Sequence, residues 1–310
     1  MFTIREYPGA STVPSRAAWK SAATAIAWRM KRIVMLSPGD QVSGTEALAR
    51  WISITGAGLT ERSRRLVRVL CPRMEAVIVA WLLIFGAAAT VRILFALTPI
   101  LSVTDFAEIF LPYALAALAP VAGYRIAMAA FPGGILPGQP GFRLALYGRW
   151  RKLAPADARA HPAFGPFGFM ASLLIGMLLN VAIRSFEFLL AVPAMNHHAP
   201  GWGTTIFHMT AFDVIATNFL YAVCFVLALR SIPLFPRMLL FAWSVDLFMQ
   251  LAIARSVATV AHVPPTVALA LQELLSGNTT KVLISVALWL PYLLLSERVN
   301  VTYRSRMPAT

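Results

Sequence analysis

Residues Ala76–Leu97 read AVIVAWLLIFGAAATVRILFAL, with Arg92 the one charged group in 22 residues. A helix crosses the roughly 30 Å hydrocarbon core of a bilayer in about 20 mostly apolar residues, at 1.5 Å each. This stretch is long enough, and it is apolar on every face rather than along one stripe. Five further windows of the same kind follow: Ile109–Phe131, Phe167–Val192, Ile206–Leu229, Met238–Val260 and Val282–Leu295. The last is short, but the stems of Lys281 and Arg298 extend along it toward the two interfaces. The chain reads as an all-α polytopic membrane protein with six transmembrane helices, arranged two plus four.

Composition agrees. The 310 residues are 58% hydrophobic and 13% charged, with a formal net charge of +14. Ordinary globular chains are about 45–50% apolar and about 25% charged. This excess of apolar residues excludes disorder of the whole chain, and it argues against an ordinary soluble enzyme. The two cysteines, Cys71 and Cys224, give neither a disulfide framework nor a CxxC motif.

The basic residues record sidedness. Cytoplasmic loops of membrane proteins are enriched in Lys and Arg. Twelve precede Met74, and five (Arg143, Arg149, Arg151, Lys152, Arg159) lie between the second and third windows. Arg230 and Arg237 follow the fourth window, and Arg298, Arg304 and Arg306 follow the sixth. In a six-span arrangement these 22 fall on one side, with only Lys281 at the edge of the other. Both termini are therefore expected in the cytoplasm. Topology then accounts for the charge, so no nucleic-acid partner is expected.

The chain divides into a basic, largely flexible tail (1–73), a hairpin (74–131), a linker (132–166), a four-helix domain (167–303) and a short tail (304–310). The run ERSRRLVRVLCPR at Glu61–Arg73 is a basic juxtamembrane segment. Such segments attract anionic lipid head groups at about 1 kcal/mol per basic residue. Ala17–Leu36 and Thr45–Trp51 read as short interfacial segments without a clean apolar stripe. No secretory leader is evident, because the apolar run Ala22–Ile26 is too short. Met74 lies directly before the first window, so a natural start there is an alternative expectation. The glycines of PGGILPGQPG in the linker do not match a phosphate-binding loop. Pro265–Leu275 has apolar residues at helical spacing and reads as an amphipathic helix on the outer surface.

Charged and amide side chains inside the windows need a reason, since each charge costs at least about 2.5–3.5 kcal/mol to insert. Asn180, Arg184 and Glu187 share one stripe of the third span. Asp213 shares a stripe of the fourth with Thr210 and Thr217, with Asn218 turned away. Asp246 and Gln250 share a stripe of the fifth, and Arg255 faces elsewhere. The helical rise puts Arg184 and Asp213 at similar depths on antiparallel spans, so they are expected to pair. The cluster Asn180, Arg184, Glu187, Asp213, Asn218, Asp246 and Gln250 has two readings: polar contacts that specify helix packing, or the lining of a substrate or proton path.

No cofactor or metal is expected. His197, His198 and His208 lie near the third–fourth turn, but His208 to Asp213 is i+5, whereas helix-borne ligands pair at i+3 or i+4. No Ser–His–acid order or nucleophile elbow is present, so enzymatic activity is not expected. Arg92 and Arg125 lie near span ends, where they can snorkel. Pro112, Pro120 and Pro291 are expected to bend their helices.

Near the C-terminus stand Trp289-Leu290-Pro291-Tyr292, then Ser296-Glu297-Arg298-Val299 and Thr302-Tyr303, with Phe235-Pro236-Arg237 between two spans. Through these motifs residues 164–306 resemble a family of small four-span bacterial integral membrane proteins that is known only as a domain of unknown function. The resemblance implies the bacterial inner membrane and carries over no activity and no catalytic residue. The two preceding spans and the long tail depart from its usual members. Read without the family, Trp289 and Tyr292 are interfacial aromatics, and Arg298 anchors a helix end.

Overall fold

Long apolar runs without interior charge clusters become long helices. In chain order the elements are α1 (Met74–Leu94), α2 (Val103–Ala130), β1 (Trp150–Lys152), α3 (Pro155–Ala160), α4 (Phe169–Ala191), α5 (Gly201–Leu229), α6 (Phe235–Ala258), α7 (Pro265–Leu295), α8 (Glu297–Arg304) and β2 (Arg306–Pro308). The computed structural model describes residues 61–65, 68, 71–132, 139 and 149–309. The segments Ala17–Leu36 and Thr45–Trp51 and most of the Pro/Gly-rich linker lie outside these residues. Six helices (α1, α2, α4, α5, α6 and α7) are long and apolar enough to cross a membrane, and the protein is a multi-pass helical membrane protein. Leu83, Leu94, Leu190, Phe248 and Leu269 are each more than 60% exposed, as lipid-facing side chains are.

Most of the long helices begin earlier than hydropathy alone places them, and two show why. α2 starts at Val103 because Ser102 and Asp105 form a capping box. Ser102 Oγ accepts from Asp105 N at 3.2 Å, while Asp105 Oδ2 accepts from Leu101 N at 2.8 Å and Ser102 N at 2.9 Å. The second difference is larger. Pro265–Leu275 is not a separate surface helix but the first part of α7, which runs unbroken for 31 residues. The weak helix formers Ser276-Gly277-Asn278-Thr279-Thr280 are carried through by contacts with neighbouring helices. Asn278 Nδ2 donates to Gln250 Oε1 at 3.5 Å, and Lys281 pairs with Glu187. Lys281 thus lies mid-helix rather than at an outer span edge.

Pro112, Pro120 and Pro291 all lie inside continuous helices. Beside Pro120, the Trp81 indole donates to Ala117 O at 2.9 Å, giving a carbonyl in the proline-disturbed turn a partner from α1.

α5 is the central helix: 61% of its most apolar window is buried, and it packs against α2, α4 and α6. Its contact with α2 is the most extensive among the described elements, so the hairpin packs directly on the central helix of the four-helix half. Gly123 permits the close approach, since a Cβ there would lie 2.5 Å from Phe219 O.

The turns sort cleanly to two ends. At one end β1 pairs antiparallel with β2, Tyr303 Oη donates to Ala228 O at 2.9 Å, and Gly165 N donates to Thr302 Oγ1 at 3.0 Å. The described end of the linker, residues 149–166, and the segment 302–308 are therefore one folded patch. At the other end Leu97 N donates to Ala194 O at 3.1 Å, and Asn196 ties the α4–α5 turn to Thr98 and Pro99. One apolar cluster lies toward each end, around Phe225, Phe235 and Tyr303, and around Phe85, Tyr113 and Phe207.

Candidate functional site

Between the two apolar clusters lies a layer of polar side chains. α4 contributes Arg184, α5 contributes Asp213 and Tyr221, and α6 contributes Asp246 and Gln250. Each sits on the inward stripe that helical periodicity gives its helix. Arg184 Nη2 meets Asp213 Oδ2 at 2.5 Å, and Arg184 Nη1 meets Asp246 Oδ1 at 2.5 Å. The three residues are 3%, 3% and 0% exposed. The planar guanidinium thus places one nitrogen on each of two carboxylates carried by different helices, a geometry that lysine does not have.

The outer lone pairs of both carboxylates are occupied as well. Gln250 Nε2 donates to Asp213 Oδ1 at 3.3 Å, and Tyr221 Oη donates to Asp246 Oδ2 at 2.8 Å. Asn278 completes the chain onto Gln250. Thr217 Oγ1 donates back to Asp213 O at 2.7 Å and Thr210 Oγ1 to Ile206 O at 2.6 Å, so these stripe hydroxyls serve their own helix. The space beside Arg184 and Asp213 measures about 20 Å³. About 10–15 Å³ is needed for one water, so this space admits one water and no larger solute.

The cluster expected from sequence is only partly brought together. Arg184, Asp213, Asp246 and Gln250 form its core. Glu187 stands a turn away, half-buried and paired with Lys281. Asn218 is fully buried, and Nδ2 donates to Ser185 Oγ at 2.7 Å, so it meets α4 apart from the ion pair. Asn180 is half-buried and takes no part in these hydrogen bonds. Arg255 is exposed, as its angular position required.

Three participants escaped the sequence reading: Tyr221, Ser185 and Asn278. Tyr221 lies two turns beyond Asp213 on the same stripe, a signal that was present but looked like an ordinary aromatic. Asn278 fell in the stretch placed outside the sixth window. The histidines do not approach Asp213. His208 Nδ1 lies 2.8 Å from Thr204 O, and the acidic neighbours of His197 and His198 are Asp105 and Glu108.

A groove of about 710 Å³ opens between α6 and α7, with walls of Leu251, Ala254, Val257, Ala268 and Leu271 and with Gln250 at its inner side. Compared with known family models, characterised proteins and solved structures, the chain matches none.

Proposed function

We propose that the protein is a structural or accessory component of a bacterial inner membrane, with no enzymatic activity of its own, and that the Arg184–Asp213–Asp246 cluster specifies how its helices pack. The observation that supports this is the pairing of the guanidinium with both carboxylates around a space of only about 20 Å³. A path for a solute needs open polar volume, and the space beside Arg184 and Asp213 admits one water. The resemblance of residues 164–306 to bacterial membrane proteins supports the compartment, and the basic residues gathered at one end of the bundle support cytoplasmic termini.

At that end lies a basic patch suited to anionic lipid head groups, the partners we assign to it. Burial holds the Arg304 guanidinium below its ordinary value, at about 10, and the neighbouring charges of Arg306 and Arg237 add to the effect. An anion placed there relieves that repulsion.

A second reading, a small permease, is favoured by the groove between α6 and α7, because Gln250 touches both the groove and Asp213. Neutralisation separates the two. Removing one partner of a buried ion pair costs about 3–5 kcal/mol, whereas replacing the whole set by neutral groups is often tolerated. Arg184→Met alone is expected to reduce the yield of folded protein sharply. Arg184→Met combined with Asp213→Asn and Asp246→Asn is expected to restore folding and to rescue a deletion strain fully. A triple variant that folds and inserts normally yet fails to rescue overturns the structural reading in favour of the permease.

A further inference from the structure

We propose that Asp105, Glu108, His197 and His198 form a binding site for one divalent transition-metal ion, with Zn²⁺ the best chemical match, at the end of the bundle opposite the two-stranded sheet. The site is independent of the Arg184 cluster and of the function assigned to it.

Three potential ligand atoms, from Asp105 at the start of α2 and from His197 and His198 in the α4–α5 turn, converge there, and the Glu108 carboxylate stands against His197. His197 Nδ1 lies 3.6 Å from Asp105 Oδ1 and 2.9 Å from Glu108 Oε2. His198 Nε2 lies 3.5 Å from the same Asp105 Oδ1. The ligand atoms of Asp105, His197 and His198 all lie within 4.8 Å of one another. A tetrahedral zinc has Zn–N and Zn–O bonds of about 2.0–2.2 Å. Those bonds put neighbouring ligand atoms about 3.4 Å apart by simple geometry. The two Asp105 separations fit that edge within about 0.2 Å. Glu108 Oε2 lies 2.9 Å from His197 Nδ1, a hydrogen-bond length, and metal binding displaces the proton the two share.

The donor set also fits. Two imidazoles and the Asp105 carboxylate suit zinc, and Glu108 beside them adds the second negative charge that a divalent cation neutralises. The charged group acting on Asp105 is His198, and those acting on Glu108 are His197 and Asp105.

The scaffold holds these groups before any ion arrives. Asp105 is 2% exposed and is fixed by its Oδ2, which caps α2 and leaves Oδ1 aimed at both imidazoles. Asn196, fully buried, accepts from His198 N at 3.0 Å while its own amide is bound to Pro99 O at 2.8 Å. Glu108 Oε2 also accepts from His197 N at 2.9 Å. His197 and His198 remain 54% and 37% exposed, so an ion has access from water.

The test is titration of the purified full-length protein in detergent with Zn²⁺ alone, in competition with a chromogenic chelator. One zinc per chain is expected. His198→Ala and Glu108→Gln are each expected to weaken binding at least about tenfold, because loss of even a supporting group costs about 10–100-fold. The His198 side chain makes no helix-capping contact, so His198→Ala leaves the fold intact. His208→Ala, one helical segment away, is expected to bind as the unaltered protein does. Failure to bind zinc, or binding that is insensitive to both His198→Ala and Glu108→Gln, or equally weakened by His208→Ala, overturns the proposal.

Discussion

Arg184 serves two carboxylates at once because its five N–H donors lie in one plane, and the two that face Asp213 and Asp246 sit on opposite nitrogens. Lysine offers a point charge on a flexible stem and reaches one of them at full strength. Arg184→Lys therefore keeps the charge and loses one charged hydrogen bond, a loss of about 1.5–3 kcal/mol. The expected readout is a lowered unfolding midpoint in detergent. An unchanged midpoint means that the second arm of the fork contributes nothing. Much of this residue-scale picture was legible. The stripes of α4, α5 and α6 set Arg184, Asp213, Asp246 and Gln250 on polar faces, and the helical rise matched the depths of Arg184 and Asp213 alone. Asn218 and Asn180 were not separable that way. A stripe gives the angular direction of a side chain but not which neighbouring helix lies there. Asn218 finds Ser185 on α4, while Asn180 finds no such group.

At the scale of elements, the α2–α5 contact rests on a missing side chain. A Cβ at Gly123 would lie 2.5 Å from Phe219 O and 3.2 Å from Ala222 Cβ, and the first of these is backbone that cannot swing aside. Gly123→Ala is expected to force the two helices apart and to cost about 1–3 kcal/mol. Gly86 makes the matched control. It lies inside α1 with nothing within 4 Å of an added Cβ, so Gly86→Ala is expected to be neutral or to gain up to about 1 kcal/mol from helix propensity. Thermal unfolding of the two variants side by side checks both. Equal effects would show that helix propensity, not the interface, decides. Hydropathy windows located all six spans but misjudged α2 and α7 at their starts for one physical reason. Asp105, Glu108, Asn278 and Lys281 lower local hydropathy, yet each is anchored: by a cap, by a histidine, by Gln250 and by Glu187 respectively. A window counts polarity without knowing whether the polar atom has a partner.

For the whole molecule, the arrangement of ends turns a tally of charges into a physical orientation. The starts of α1, α4 and α6 and the ends of α2, α5 and α7 meet at one end of the bundle. Contacts there include Arg125 with Glu75 and Arg230 Nη1 with Phe131 O. Arg149, Arg151, Lys152, Arg298, Arg304 and Arg306 gather at that same end, on or beside the β1–β2 pair. The opposite end is not free of basic groups: Arg92 and Arg255 occupy the last turns of α1 and α6. The imbalance is still large, and positive charge opposes translocation across the energised membrane. Two engineered cysteines report the result directly. In a Cys71→Ser background the remaining Cys224 is buried, so it does not react with a membrane-impermeant maleimide. Asp157→Cys places an exposed thiol on α3, at the basic end. Gly201→Cys places one at the start of α5, at the other end, where an added Cβ meets nothing within 4 Å. In right-side-out vesicles the reagent is expected to label Gly201→Cys and to spare Asp157→Cys, and in inverted vesicles the pattern is expected to reverse. The opposite pattern would put both termini outside. It would mean that Arg92 and Arg255, held one turn from the ends of their helices, outweigh the larger basic set during insertion.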